Sequence, residues 1–73
     1  MTLDSLPKGT PATITQINAT KALKNRFNSF GLIKGEQVTV EALTLAKQTL
    51  KIRINNTRIA LRISEAQKIE VSQ

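Results

Sequence analysis

Apolar and polar residues alternate along most of this chain, the pattern typical of strands with one buried face. The alternation begins after Pro11 and is then interrupted by a segment with a different spacing. It resumes in three further stretches and in a short fourth stretch near the C-terminus. Five short strands are therefore predicted. Their expected inward-facing residues are Ala12 and Ile14; Val38, Val40 and Ala42; Leu50, Ile52 and Ile54; Ile59, Leu61 and Ile63; and Ile69 and Val71.

The first strand contains a slip in its alternation. Ile17 lies three residues after Ile14, so the two would point to opposite faces of a regular strand. A β-bulge near Thr15 and Gln16 would return Ile17 to the inner face.

The interruption after the first strand has helical spacing. Leu23, Phe27 and Phe30 recur at i, i+4 and i+7 among basic and amide side chains. One amphipathic helix of about three turns is predicted, with Asn18 or Thr20 as its N-cap. Gly31 follows the last periodic residue, where a left-handed C-terminal cap is expected.

The third and fourth strands are predicted to form a hairpin. Asn55 and Asn56 lie between them, and Asn tolerates the positive φ that a two-residue turn requires. This turn fixes the register of the strands. The expected cross-strand pairs are Ile54 with Thr57, Ile52 with Ile59, Leu50 with Leu61, and, on the outer face, Arg53 with Arg58.

These elements predict a mainly β fold, in which a small, strongly bent sheet or barrel carries one inserted α-helix and a short C-terminal helical turn at Ser64–Gln67. A chain of 73 residues fits a single domain spanning 1–73, with its core from about 6 to 71. A chain of this length cannot cover both faces of a flat sheet, so closure of the sheet onto one core is expected. The predicted core comprises Leu6, Ala12, Ile14, Ile17, Leu23, Phe27, Phe30, Leu32, Val38, Val40, Leu50, Ile52, Ile54, Ile59, Leu61, Ala66, Ile69 and Val71.

The amino-acid composition limits the catalytic and metal-binding functions that this chain can have. The chain has no His and no Cys, so it lacks the usual general base, a thiolate nucleophile and the commonest ligands of transition metals. We expect no enzymatic activity, no cofactor and no metal site, and we interpret Glu36, Glu41, Glu65 and Glu70 as solvated surface acids. No signal peptide or apolar run long enough to span a membrane is visible, so a cytoplasmic protein is expected.

Positive charge is the remaining signal, since 11 Lys and Arg oppose 5 Asp and Glu. In the predicted hairpin, Lys51, Arg53, Arg58 and Arg62 share one exposed face, hereafter the basic face. It could dock on an anionic surface, or it could protect a sheet edge from aggregation. The helix cations Lys21, Lys24 and Arg26 would extend a positive patch or form an ordinary solvated face.

Several short motifs extend from Leu6 to Val71 in a characteristic order. They are Leu6-x-x-Gly9, Ala12-x-Ile14, Phe30-Gly31-Leu32-Ile33-Lys34-Gly35, Val38-x-Val40, Ile59-Ala60-Leu61-Arg62 and Ala66-x-x-Ile69-x-Val71. Together they resemble the FeoA family of small cytoplasmic accessory proteins of bacterial ferrous iron transport. Two positions depart from the family pattern: Lys34 stands where Pro is frequent, and Phe27 where Leu is more usual.

The resemblance implies an SH3-like β-barrel with an inserted helix. It also implies a role beside FeoB, the membrane iron transporter whose cytoplasmic part contains a GTP-binding domain. The leading hypothesis is a non-enzymatic module that docks on that part through the basic face, with Lys34 beside a segment that could face the partner.

Other functions stay open at this point. A small basic barrel could bind nucleic-acid phosphates, and an oxygen-ligand metal sensor is a third hypothesis. Only two aromatic residues are present, which disfavours binding of single strands by base stacking. Leu43, Leu45 and Ile33 are candidates for self-association, with a loop or core role equally open.

Overall fold

The five strands form one antiparallel sheet in the order β4-β3-β2-β1-β5, which confirms the mainly β prediction. The computed structural model describes all of residues 1–73. The chain begins with a 3₁₀ turn at Leu3–Ser5. It continues through β1 (Pro11–Ile17), α1 (Lys21–Ser29), β2 (Gln37–Thr44), β3 (Thr49–Ile54), β4 (Thr57–Arg62), α2 (Ile63–Ala66) and β5 (Ile69–Ser72).

The β3–β4 hairpin has the predicted register at every pair. Leu50 lies opposite Leu61 and Ile52 opposite Ile59, while Arg53 lies opposite Arg58 on the outer face. Ile63 was expected to continue the inner face of β4, but it is the first residue of α2 and is half-buried. The short helix therefore begins one residue earlier than the predicted turn.

Two register shifts bend the sheet. The shift between Ile14 and Gln16 in the β1–β5 pair confirms the predicted bulge. A second shift, between Val40 and Ala42 in the β2–β3 pair, was not predicted. It pairs Ala42 with the outer-face residue Lys51, so the expectation that Ala42 shares a face with Val40 is wrong. The physical reason is the extra residue of the bulge, which reverses the side-chain alternation beyond it.

Helix α1 has the predicted ends. Of the two N-cap candidates, Thr20 caps the helix, because its Oγ1 accepts a hydrogen bond of 3.2 Å from the Leu23 N–H. Gly31 has a φ of +90°, the left-handed conformation that ends the helix and favours glycine.

The core consists of 16 buried apolar residues and no buried polar side chain. Leu23 and Ile59 pack against it but are only partly buried. Phe30 was predicted in the core and is 37% exposed, because it lies at the C-cap beyond the apolar stripe of α1. Its ring instead lies 5.8 Å from the Arg26 guanidinium carbon. Leu3, which the periodicity did not include, is fully buried.

The two outer edges of the sheet differ. The N-terminal residues cover β5, since the Val71 N–H donates to the Met1 carbonyl at 2.8 Å and Thr2 forms a bridge with Glu70. Strand β4 pairs only with β3, and no other strand lies on its outer side. The sheet therefore has one covered and one open edge.

Candidate functional site

The hairpin brings the four predicted cations of the basic face onto adjacent strands. Lys51 and Arg53 lie on β3, while Arg58 and Arg62 lie on β4, and all four are exposed. They share one face because their side chains alternate with the buried residues of the same strands. Arg53 and Arg58 are directly opposite each other, so two like charges meet at the centre of this face.

One carboxylate, contributed by Glu41, relieves this repulsion. Glu41 Oε1 accepts a hydrogen bond of 2.8 Å from Arg58 Nε, and its Oε2 lies 3.8 Å from Arg53 Nε. Glu41 was interpreted from the sequence as a solvated surface acid, which missed this role. Its outward parity on β2 was visible in the sequence. What the sequence did not give was the position of β2 next to β3.

The other two cations of the basic face lack a carboxylate partner. Neither the Lys51 nor the Arg62 side chain forms an ion pair in the structure. Arg62 lines a shallow cleft at one end of the hairpin with Lys47, Gln48, Thr49 and Ser64. The basic face as a whole thus carries four cations against one acid.

Glu65 connects the end of the basic face to helix α1. Its Oε1 accepts a hydrogen bond of 3.0 Å from the backbone N–H of Arg62, and its Oε2 pairs with Arg26 Nη1 at 2.9 Å. The carboxylate caps the start of α2 while it holds the end of α1. Glu65 is therefore a structural acid rather than the freely solvated one that the sequence suggested.

Lys34 lies apart from the cations of the hairpin. It occupies the turn before β2 and lines a second shallow cleft with Lys24, Asn28 and Gln16 among others. This cleft shares no residue with the one that Arg62 lines. The structure therefore places Lys34 with Lys24 of α1 rather than with the basic face.

The residues considered for self-association are exposed but are not part of the basic face. Leu43, near the end of β2, is 49% exposed, and Leu45, in the β2–β3 connection, is 73% exposed. Ile33 is 46% exposed beside Lys34. Their role in self-association stays a prediction.

Outside the charged surface, the structure has neither a cluster of metal-ligating side chains nor a membrane-spanning helix. No group of three or more His, Cys, Asp or Glu side chains is placed to hold a metal ion. The helices of this chain are all too short and too polar to cross a membrane. What distinguishes the surface is its charge pattern.

Comparison with known proteins identifies the family. The model of the FeoA domain matches residues 1–73. A protein of Campylobacter jejuni named "Putative Fe(2+) transport protein A" is 39% identical over 72 residues, covering 99% of this chain and 97% of that protein.

Solved structures agree with this match and confirm the SH3-like fold. The crystal structure of Stenotrophomonas maltophilia FeoA complexed with zinc, described as a prokaryotic SH3 domain protein, is 36% identical with a TM-score of 0.84. The match covers 99% of this chain and 89% of that one. The iron(II) transport protein A of Clostridium thermocellum is 30% identical with a TM-score of 0.90, over 97% of this chain and 44% of that one. The chain therefore belongs to the FeoA family, as its sequence motifs indicated.

Proposed function

We propose that this FeoA-family protein is a non-enzymatic accessory protein of ferrous iron transport that docks through its basic face on the cytoplasmic GTP-binding part of a FeoB-type transporter. The observation that carries the proposal is the arrangement of Lys51, Arg53, Arg58 and Arg62 on one exposed face with a single carboxylate among them. Docking on that domain places the protein in the cytoplasm, at the inner face of the membrane.

Charge complementarity explains why such a face would select an acidic partner. Arg53 and Arg58 stand opposite each other at a cost to the stability of the hairpin. An acidic surface would offset that repulsion on binding and would raise the rate of association. Because the basic face is exposed, the contribution of each pair is small, and the group acts mainly through its summed charge.

The test is a binding measurement with the purified cytoplasmic domain of the transporter at low and moderate salt. Reversing the two unpaired cations, Lys51→Glu with Arg62→Glu, leaves the Glu41 ion pairs intact and should weaken binding by about tenfold or more at low salt. A second double variant, Arg53→Glu with Arg58→Glu, should weaken it further. This second variant places two glutamates beside the Glu41 carboxylate, which repels them. Thermal unfolding therefore checks that the variant is folded.

A matched control comes from the helix. Lys21→Glu with Lys24→Glu makes the same change in net charge on exposed positions outside the basic face. It should alter binding by less than about threefold. Equal losses in the control and in the hairpin variants would attribute the effect to net charge and refute the basic face. Absence of binding by the unmodified protein at every salt concentration would refute docking altogether.

The second candidate is binding to nucleic-acid phosphates, favoured by the net charge of +6 and a pI near 10.4. Phe27 is fully buried, which leaves no exposed pair of aromatic rings for base stacking. Titration with duplex DNA and RNA separates the two functions. Phosphate binding would weaken linearly on a log–log plot as salt rises and would be insensitive to nucleic-acid sequence.

A further inference from the structure

The open edge of β4 leads to a more specific account of how the partner docks, one that rests on the proposed function. We infer that an extended segment of the partner, with acidic side chains at alternate positions, adds to the outer edge of β4 as a sixth strand. This mode of recognition uses backbone hydrogen bonds for affinity and alternate side chains for specificity.

The register of the hairpin identifies which backbone groups of β4 are free. The two-residue turn makes Ile54 and Thr57 a hydrogen-bonded pair, and such pairs then alternate with non-hydrogen-bonded ones. Arg58 and Ala60 belong to non-hydrogen-bonded pairs, so their N–H and C=O groups point away from β3. No turn, loop or side-chain hydrogen bond uses the backbone groups of these two residues.

One contact supports this assignment. The next residue in the same series, Arg62, donates its backbone N–H to the Glu65 carboxylate, which lies outside the sheet. The hydrogen bond of the Arg62 N–H thus shows that the N–H groups of alternate β4 residues point away from β3. Arg58 and Ala60 have the same orientation, and both residues are exposed. They form a short free edge that can accept a strand.

The side chains of the edge define the chemistry of the added strand. Residues opposite Arg58, Ala60 and Arg62 would project on the same side as the basic face. Carboxylates opposite the two arginines would pair with them, and the position opposite Ala60 has room for a larger side chain. The intervening residues would lie beside partly buried Ile59 and buried Leu61, where apolar side chains fit.

Charge also argues against a second copy of this chain as the occupant. Pairing β4 with β4 of another copy, with Ala60 opposite Ala60, places Arg58 opposite Arg62 at two positions. Like charges directly opposite each other destabilise a strand pair. The other edge of the sheet is covered by residues 1 and 2, so β4 is the edge available for an added strand. An acidic strand satisfies both the free backbone groups and the arginines.

The first test measures amide hydrogen exchange by NMR in the free protein and in its complex with the transporter's cytoplasmic domain. In the free protein, the amides of Arg58 and Ala60 should exchange much faster than those of Ile59 and Leu61, which point toward β3. In the complex, the Arg58 and Ala60 amides should slow by about tenfold or more. Unchanged exchange at both amides in a saturated complex would overturn strand addition while leaving docking itself intact.

The second test changes the edge without changing its charge. Ala60→Pro removes the outward N–H, and proline is tolerated on an edge strand where the N–H faces solvent. The variant should bind the domain about three- to tenfold more weakly, as expected for the loss of one backbone hydrogen bond. Ala60→Val keeps the N–H and serves as the matched control. Equal binding by the proline and valine variants, with both folded, would overturn the inference.

A peptide separates failure of this inference from failure of the proposed function. The probe is a heptapeptide that alternates glutamate and valine, compared with its lysine–valine counterpart and with a version N-methylated at alternate amides. Only the unmodified acidic peptide should slow the Arg58 and Ala60 amides. If the transporter domain does not bind but the peptide does, the edge is a strand-accepting site with another acidic partner. If neither protects these amides, the arginines protect the edge and the inference is wrong.

Discussion

The carboxylate of Glu41 on β2 holds the guanidinium of Arg58 on β4 at 2.8 Å, across the intervening strand β3. The same carboxylate lies 3.8 Å from Arg53 on that intervening strand. One acid thus serves two arginines that face each other, and it lies beside the bulge of β2. This contact limits the charge of the basic face and bears directly on its proposed role.

We expect Glu41→Gln to strengthen binding of the basic face to an acidic partner by a few-fold and to steepen its salt dependence. The variant removes the only carboxylate paired with the hairpin arginines, so the positive potential there rises. The free energy of unfolding should fall by no more than about 1 kcal/mol, since these ion pairs are exposed. Binding isotherms at two salt concentrations and urea unfolding measure both effects. Glu36→Gln is the charge-matched control, and weaker binding by Glu41→Gln would contradict the prediction.

The two phenylalanines should differ sharply when they are truncated. Phe27 is fully buried, so Phe27→Ala should lower the free energy of unfolding by about 3–5 kcal/mol. Phe30 is 37% exposed and lies beside Arg26, so Phe30→Ala should cost about 1 kcal/mol or less. Urea unfolding monitored by circular dichroism gives both values. Similar losses for the two variants would show that Phe30 belongs to the core after all.

Glu65 should contribute more to stability than its partner Arg26. Arg26→Ala removes one exposed ion pair and should cost about 0.2–1 kcal/mol. Glu65→Ala also removes the acceptor for the Arg62 N–H at the start of α2, so its cost should reach about 1–2 kcal/mol. A double-mutant cycle over the two positions isolates the ion pair. If the cost of Glu65→Ala does not exceed that of Arg26→Ala, the capping role is refuted.

Gln48→Gly should stabilise the protein. Gln48 has a φ of +52°, a left-handed conformation that is costly for a residue with a Cβ atom. Its N–H donates to the Leu45 carbonyl and its C=O accepts from the Ile63 N–H, and both bonds use only the backbone, which glycine retains. The strain relieved should exceed the added entropy of the unfolded chain by about 0.5 kcal/mol.

Lys47→Gly provides the comparison for that substitution. Lys47 is an exposed neighbour without a positive φ, so glycine there should only destabilise, by about 0.5–1 kcal/mol. The difference in urea midpoints between the two glycine variants isolates the effect of the backbone conformation. A Gln48→Gly protein no more stable than Lys47→Gly would contradict it.

The sequence by itself determined the elements and much of the core. The alternation predicted all five strands, the Ile14–Gln16 bulge and the complete register of the hairpin, because strand faces and two-residue turns are set by neighbouring residues. It also placed four cations on one face of that hairpin. The motifs identified the family, which the comparison confirmed.

Tertiary structure decided what surrounds these features. The bulge beside Glu41, the contact of Glu41 with two arginines, the left-handed Gln48 and the exposure of Phe30 all depend on segments distant in sequence or on a single φ. The same holds for the open edge of β4 and for the N-terminal cover of β5. Local periodicity shows which side of a strand is buried, whereas only the packed fold shows which strands become neighbours and which edge is left without one.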